Sequence, residues 1–194
     1  MRTLLLVITM FSAICFGCAP METNTNTNTN TNTNAVAAAS PTATPVRSEP
    51  PRQDDNAFAM NGAQANMAEI ALGRLASQKS QNPEVKRFVQ RLIADHTKAN
   101  NELKPIASKK NITLPADVKP EQKETYDRLA KLSGAEFDRE FMALMVTNHQ
   151  KSEAAYQAES TNGTDPELKA FATKILPTIQ EHLRMSQEIA SKLT

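Results

Sequence analysis

Two stretches of this chain begin in the same way. Asn82-Pro83-Glu84-Val85-Lys86-Arg87-Phe88 lies against Asp165-Pro166-Glu167-Leu168-Lys169-Ala170-Phe171, at an offset of 83 residues. In each, a short polar side chain can cap a helix start, proline fits the first helical position, and an acid follows in the first turn. Each also follows a long segment of helical periodicity and a short turn. The chain therefore reads as two helical hairpins joined by a longer middle segment. Neither hairpin can bury its apolar stripe alone, and packing the two together does so. The short turns make the members of each hairpin antiparallel. The stripes are broad, which fits a closed bundle better than a coiled-coil dimer of hairpins.

Periodicity places the first helix over about residues 56–79, after Asp54-Asp55 as its cap. The second starts at Pro83, with Val85, Phe88, Val89, Leu92, Ala99, Leu103 and Ile106 on its apolar face; Pro105 should kink or shorten its last turns. A short helix follows near 121–132. The third long helix covers about 135–160, with Phe137, Phe141, Leu144, Met145 and Ala155 apolar, and ends at Asn162-Gly163-Thr164. The fourth opens at Pro166 and carries Leu168, Phe171, Ala172, Ile175, Ile179 and Ile189. Zero Trp, five Gly and an abundance of Ala, Lys, Glu, Gln and Leu support an all-α chain.

The N-terminal quarter has another character. Arg2 precedes the apolar run Leu4 to Phe11, which continues through Ala13-Ile14 to Phe16-Gly17-Cys18. A basic start, a short apolar core and small residues form the pattern of a secretory signal peptide, shorter than the roughly 20 apolar residues of a membrane-spanning helix. Gly17-Cys18 resembles a bacterial lipobox, whose cysteine is acylated and becomes the new N-terminus. Cys15 stands where that box usually has Leu, and the alternative is ordinary cleavage near Ala19. Residues 1–18 are thus assigned to a lipoprotein-type signal peptide, with Cys18 as the lipidation site. Residues 19–54 form a tether: Thr-Asn alternates from Thr23 to Asn34, then come Pro41, Pro45, Pro50 and Pro51. So little apolar surface cannot offset the entropy of ordering the chain. As a flexible coil it would span about 35 Å. Residues 55–194 are the bundle domain. The expected location is the cell envelope, with the domain facing the periplasm and the membrane as partner through the lipid anchor.

Both cysteines lie in the first twenty residues, so the domain has no disulfide or thiolate metal site. A balance of 22 basic and 21 acidic residues gives no polycationic signal for nucleic acid. No Ser/His/acid or Cys/His constellation and no Gly-rich phosphate loop is legible, which argues against hydrolase and nucleotide chemistry.

The three histidines, His96, His149 and His182, all fall in mid-helix. His96 continues the stripe of Phe88 and Leu92, His182 follows Ile175 and Ile179, and His149 sits four residues after Met145. Counted from the two hairpin turns at 1.5 Å per residue, their depths agree within about one helical turn. Glu69 reaches the same level from the first helix, and Glu153, one turn past His149, is a further carboxylate candidate. Imidazole and carboxylate suit Zn, Fe, Mn or Cu, and a bound cation would offset the cost of burying a carboxylate. Asp95 and Glu181 are candidates for acids that orient an imidazole from outside. The competing reading has each histidine held singly by a carboxylate or carbonyl. Met67, Met142, Met145 and Met185 read as core filling rather than soft ligands. Pro177, five residues before His182, frees the carbonyl of Thr173 and can kink the helix there.

Between about Phe58 and Ala190 the chain resembles a bacterial family of unknown function with a ferritin-like domain, whose members are often labelled membrane or outer-membrane proteins. The resemblance rests on Met67-Ala68-Glu69-Ile70-Ala71-Leu72-Gly73, Asn82 to Lys86, Asp95-His96-Thr97-Lys98-Ala99-Asn100, Leu132 to Phe137, Asn148-His149, Asp165 to Lys169 and Glu181-His182-Leu183. It implies a ferritin-like antiparallel four-helix bundle and an envelope location, and no particular activity. The wider di-iron pattern asks for Glu-x-x-His on two helices. Here Ile93, Val146 and Ile179 occupy the positions three before the histidines, so a mononuclear His-rich site is the version these residues keep. Asn148 also departs from the acid that commonly precedes His in the family motif. Two functions therefore compete. One is metal binding, or metal-dependent stress protection in the envelope, through Glu69, His96, His149 and His182, with Glu153. The other is a non-catalytic tethered interaction module whose protein partner the sequence does not name, with diverging histidines and an exposed apolar patch.

Overall fold

A computed structural model describes residues 53–193, and the signal peptide, Cys18 and nearly all of the tether lie outside the described residues. Five helices follow in order: α1 (Gln53–Lys79), α2 (Pro83–Lys109), α3 (Pro120–Ala130), α4 (Gly134–Asn162) and α5 (Pro166–Lys192). The duplicated sequence does the same physical work twice. Asn82 accepts from the backbone N–H groups of Glu84 and Val85, and Asp165 from those of Glu167 and Leu168, with proline at the first position of each helix.

α1 packs on α2 and α4 on α5, as the short turns require. Contacts between the hairpins define their direction. Lys192 Nζ meets Glu84 Oε1 at 3.1 Å at one end of the α2–α5 pair, and Lys110 Nζ meets Asp165 Oδ2 at 2.6 Å at the other. α2 and α5 are therefore antiparallel. α1 and α4 are antiparallel too, because Asp55 accepts from the backbone N–H groups of Thr164 and Asp165 just beyond the end of α4. Asp55 was expected to cap its own helix; with Gln53 already helical, its carboxylate instead ties α1 to the α4–α5 turn. Residues 110–133 must then cross the full length of the bundle, carrying α3 over the α1–α4 seam. This single long crossover is the ferritin-like connection.

α2 ends in a left-handed turn. Asn111 takes φ 56°, Ile112 N–H reaches Ala107 O at 2.9 Å, and Asn111 N–H reaches Ser108 O at 3.2 Å. Asparagine tolerates this conformation better than other side-chain-bearing residues, and Ile112 then buries its side chain against the helix. Pro105 does not shorten α2, which runs on to Lys109. Leu103 and Ala107 are buried on either side of it, and that packing outweighs one lost backbone bond. α5 likewise continues through Pro177.

The core has two parts, one above and one below the histidine level. Phe88, Val89, Leu92, Phe137, Phe141, Met142 and Met145 fill one. Leu103, Tyr156, Leu168, Phe171, Ala172 and Ile179 fill the other. In α4 the buried stripe includes Met142 and Tyr156, while Ala155, expected inside, faces solvent. Among the described residues no helix is long and apolar enough to cross a membrane.

Candidate metal centre

Between the two halves of the core lies a polar layer. Glu69, His96, His149 and His182, contributed by α1, α2, α4 and α5 in turn, are all at most 4% exposed. The ring centroids of the three histidines are 5.3 to 5.8 Å apart. One ligand atom from each lies within 4.8 Å of the others.

Every ring has one nitrogen anchored and one free. His96 Nδ1 donates to Asn66 Oδ1 at 2.8 Å, His149 Nδ1 to the carbonyl of Met145 at 2.9 Å, and His182 Nε2 to Asp95 Oδ2 at 2.9 Å. All three partners are oxygen acceptors. In a neutral imidazole each therefore takes the single N–H, and the lone pair moves to the other nitrogen. The nitrogens left over are His96 Nε2, His149 Nε2 and His182 Nδ1, and among the described residues none has a hydrogen-bond partner. The amide of Asn66 is itself oriented, since its Nδ2 donates to Asn100 Oδ1 at 2.9 Å.

The carboxylate of Glu69 closes the layer. Its Oε2 lies 2.7 Å from His96 Nε2 and 3.6 Å from His149 Nε2. At 2.7 Å the Glu69 carboxylate touches His96 Nε2, and a proton or a metal cation would sit between them. Burial works to raise the Glu69 pKa, but the attraction of His149 and His96, which acts when those rings carry a proton, outweighs it and holds the carboxyl at about 2; a metal cation in place of that proton would act in the same sense. Burial, then repulsion from His96 and His149, pushes His182 down to about 4, against the pull of Asp95. At neutral pH the layer therefore offers an ionised carboxylate and a neutral His182.

Orphaned buried polar atoms are costly, and three lone pairs with a carboxylate on one small volume leave each other unpaired. A metal cation would satisfy the three ring nitrogens together, with the Glu69 carboxylate beside His96 and His149. The outer anchors have the form found around metal-bound histidines, where an acceptor on the far nitrogen sets the tautomer and the ring orientation. Phe88 stands edge-on to His149 and His182, at centroid distances of 6.4 and 6.1 Å, and keeps that side dry. Glu69 also lines a cavity of about 440 Å³ beneath α3 at the α1–α4 seam, while Asp95 and His96 line one of about 150 Å³ between α2 and α5.

The structure brings together Glu69, His96, His149 and His182 from the sequence candidates. Glu153 is not with them. Its Oε1 accepts from Gln180 Nε2 at 3.1 Å on the exposed side, because one further turn along α4 carries the carboxylate towards α5. Asp95 takes the orienting role, whereas Glu181 turns outward to Arg184 and Arg91. Met142 and Met145 are core residues, and Met145 contributes its backbone carbonyl rather than its sulfur. Asn66 was missed. Its signal was there: a polar residue three positions before Glu69 falls on the same helix face.

Residues 37–189 match the model of a family described as a domain of unknown function, DUF4142. The chain belongs to this family. No curated protein matches the sequence. Among solved structures, the bundle is similar to a DUF305 fragment from Deinococcus radiodurans, with a TM-score of 0.66 at 16% identity, covering 74% of this chain and 99% of that one. It is also similar to CopM in its Cu(II)-bound form, with a TM-score of 0.63 at 21% identity, covering 72% of this chain and 97% of that one. CopM in its Cu(I)-bound form gives a TM-score of 0.60 at 20% identity, over 71% and 96% of the two chains. At such identities these likenesses establish a shared helical-bundle fold.

Proposed function

We propose that this DUF4142 domain is a mononuclear transition-metal binder, with His96, His149 and His182 as nitrogen ligands and Glu69 as the carboxylate. One observation carries the reading. Each histidine has one nitrogen fixed by an oxygen acceptor and the other without a hydrogen-bond partner among the described residues, and the three rings bring ligand atoms within 4.8 Å of one another. Three imidazoles and a carboxylate suit copper or zinc, and a four-coordinate geometry needs no further protein ligand. Structures similar to this one are described as Cu(I)-, Cu(II)- and Ag-bound CopM, which makes copper the first ion to test. Imidazole and carboxylate also serve iron and manganese, so those ions are loaded in the same test.

The work such a site would do is metal sequestration or stress protection in the cell envelope. Support for that location is the sequence alone: Arg2, the apolar run and Gly17-Cys18, followed by a tether. Lipidation at Cys18 would hold the domain at a membrane, and a Cys18→Ser variant should leave the membrane fraction. The interaction-module alternative loses its two supports. The histidines converge, and among the described residues Met60, at 41%, is the one exposed large hydrophobic side chain.

The test is elemental analysis of the chain purified without a histidine tag, beside a His96→Ala, His182→Ala double variant. Near-stoichiometric Cu or Zn in the parent, lost from a variant that is still folded, is the expected result. Absence of metal from the parent after loading with each ion in turn would refute the assignment.

A further inference from the structure

A third cavity lies below the metal layer, at the end of the bundle where α1 begins and α4 ends. Its volume is about 480 Å³, within the range of small-molecule sites. Phe58, Ala65, Ala155 and Ala158 give it apolar walls. Phe58 and Tyr156 meet edge-to-face at 5.0 Å and form an aromatic corner. None of the three histidines lines it.

Its polar chemistry is one-sided. Asp54, Asp55 and Glu159 line it against one cation, the exposed Lys151. Glu159 is 7% exposed and Tyr156 is 3% exposed, yet Glu159 Oε1 and Tyr156 Oη have no hydrogen-bond partner among the described residues. Burial first, then the charge of Asp55 and a hydrogen bond shared with it, then the further acids Asp165 and Asp54, raise Glu159 to about 7. Lys110, the nearby buried cation, is committed to Asp165 and Glu167 at 2.6 and 2.9 Å, and Glu159 has no ion pair among the described residues. Gly163 maintains this arrangement: a Cβ there would stand 2.5 Å from the Glu159 carbonyl and 2.6 Å from Glu159 Oε1.

We infer that this cavity is a binding site for a small organic cation, an amine carried on an apolar body. An ammonium group has donors and no acceptor, which is what a carboxylate oxygen and a phenol oxygen without partners lack. Its charge would balance the three acids, and the aromatic corner adds attraction for a cation. The apolar walls take the body of the molecule, which an inorganic ion would leave empty. Asn66 is shared with the metal layer, since it lines this cavity and orients His96. The two sites are otherwise built from different side chains, and this inference does not depend on the metal.

The test uses 2-phenylethylamine and its uncharged counterpart 2-phenylethanol as probes of the purified chain at pH 8, by calorimetry and saturation-transfer NMR. The amine should bind at least about tenfold more tightly than the alcohol, the advantage of a charge-assisted hydrogen bond. Glu159→Gln should abolish that preference. Ala155→Leu, at an exposed position where folding tolerates a larger side chain, should fill the cavity and remove both probes. Metal content should be the same in the parent and both variants. Equal affinity for the two probes, no saturation transfer to either, an undiminished preference in Glu159→Gln, or displacement of the amine by Ca²⁺ would each overturn the assignment.

Discussion

The tautomer argument makes one demand that can be measured directly. If Asn66 selects the lone pair of His96, then Asn66→Ala should weaken metal binding although Asn66 touches no metal. Its Oδ1 is the acceptor for His96 Nδ1 at 2.8 Å, and alanine leaves that nitrogen unanchored. Losing an outer-shell partner of this kind typically costs 10–100-fold in metal affinity, about 1.4–2.7 kcal/mol. A ligand present at about 1,000 times its dissociation constant stabilises the folded state by roughly 4 kcal/mol. For a domain of about 140 residues the unfolding entropy near Tm is on the order of 0.3 kcal/mol/K, so that linkage corresponds to a shift of about 14 °C. Asn66→Ala should retain only about 5–9 °C of it at the same free metal concentration. The assay is thermal unfolding followed by circular dichroism, for parent and variant, with metal and with chelator. The chelated proteins give each baseline, so the apo cost of the substitution is separated from the loss of metal. A variant that keeps the full metal-induced shift would refute the claim that the outer anchor sets the ligand.

Other positions offer independent checks. Pro105 is exposed and interior to α2, so Pro105→Ala should restore a backbone bond and raise stability by about 1–3 kcal/mol in urea unfolding. The Lys110 side chain is 8% exposed and pairs with Asp165; Lys110→Met should cost about 2–4 kcal/mol by leaving that buried carboxylate without its cation, again read in urea. Glu159 carries a sign that can be worked out. Its folded pKa is about 7 against an ordinary 4.5, so between those values the unfolded chain has lost a proton that the folded chain retains. Stability from this group is full below about pH 4.5 and falls as pH rises towards 7, by on the order of 1–2 kcal/mol after allowing for solvent at the cavity rim. A Glu159→Gln variant should lack that decline in a series of Tm against pH, and a decline of equal slope would exclude Glu159 as its source.

The helices and their pairing were written in local chemistry. Asn82-Pro83-Glu84 and Asp165-Pro166-Glu167 start α2 and α5 because caps and proline act on the nearest backbone, whatever the rest of the chain does. Short turns then leave each hairpin no choice but antiparallel packing. Glu69, His96, His149 and His182 could be brought to one level by counting residues, because helical rise is constant. Direction was harder to read. Glu153 satisfied the same count as Glu69 yet turns to Gln180, and Tyr156 is buried where Ala155 was expected, since a few tens of degrees of helix rotation decide which neighbour faces the core. Asp55 shows the same limit: its partners are more than a hundred residues away on the α4–α5 turn, beyond any local rule. Which nitrogen of each histidine is free depended on Asn66, the Met145 carbonyl and Asp95, three acceptors from three helices. The sequence by itself determined that four helices would form and which ring types would share a level. Only the tertiary structure decided where their lone pairs point, because a hydrogen bond depends on distance and angle between side chains that the chain order does not bring together.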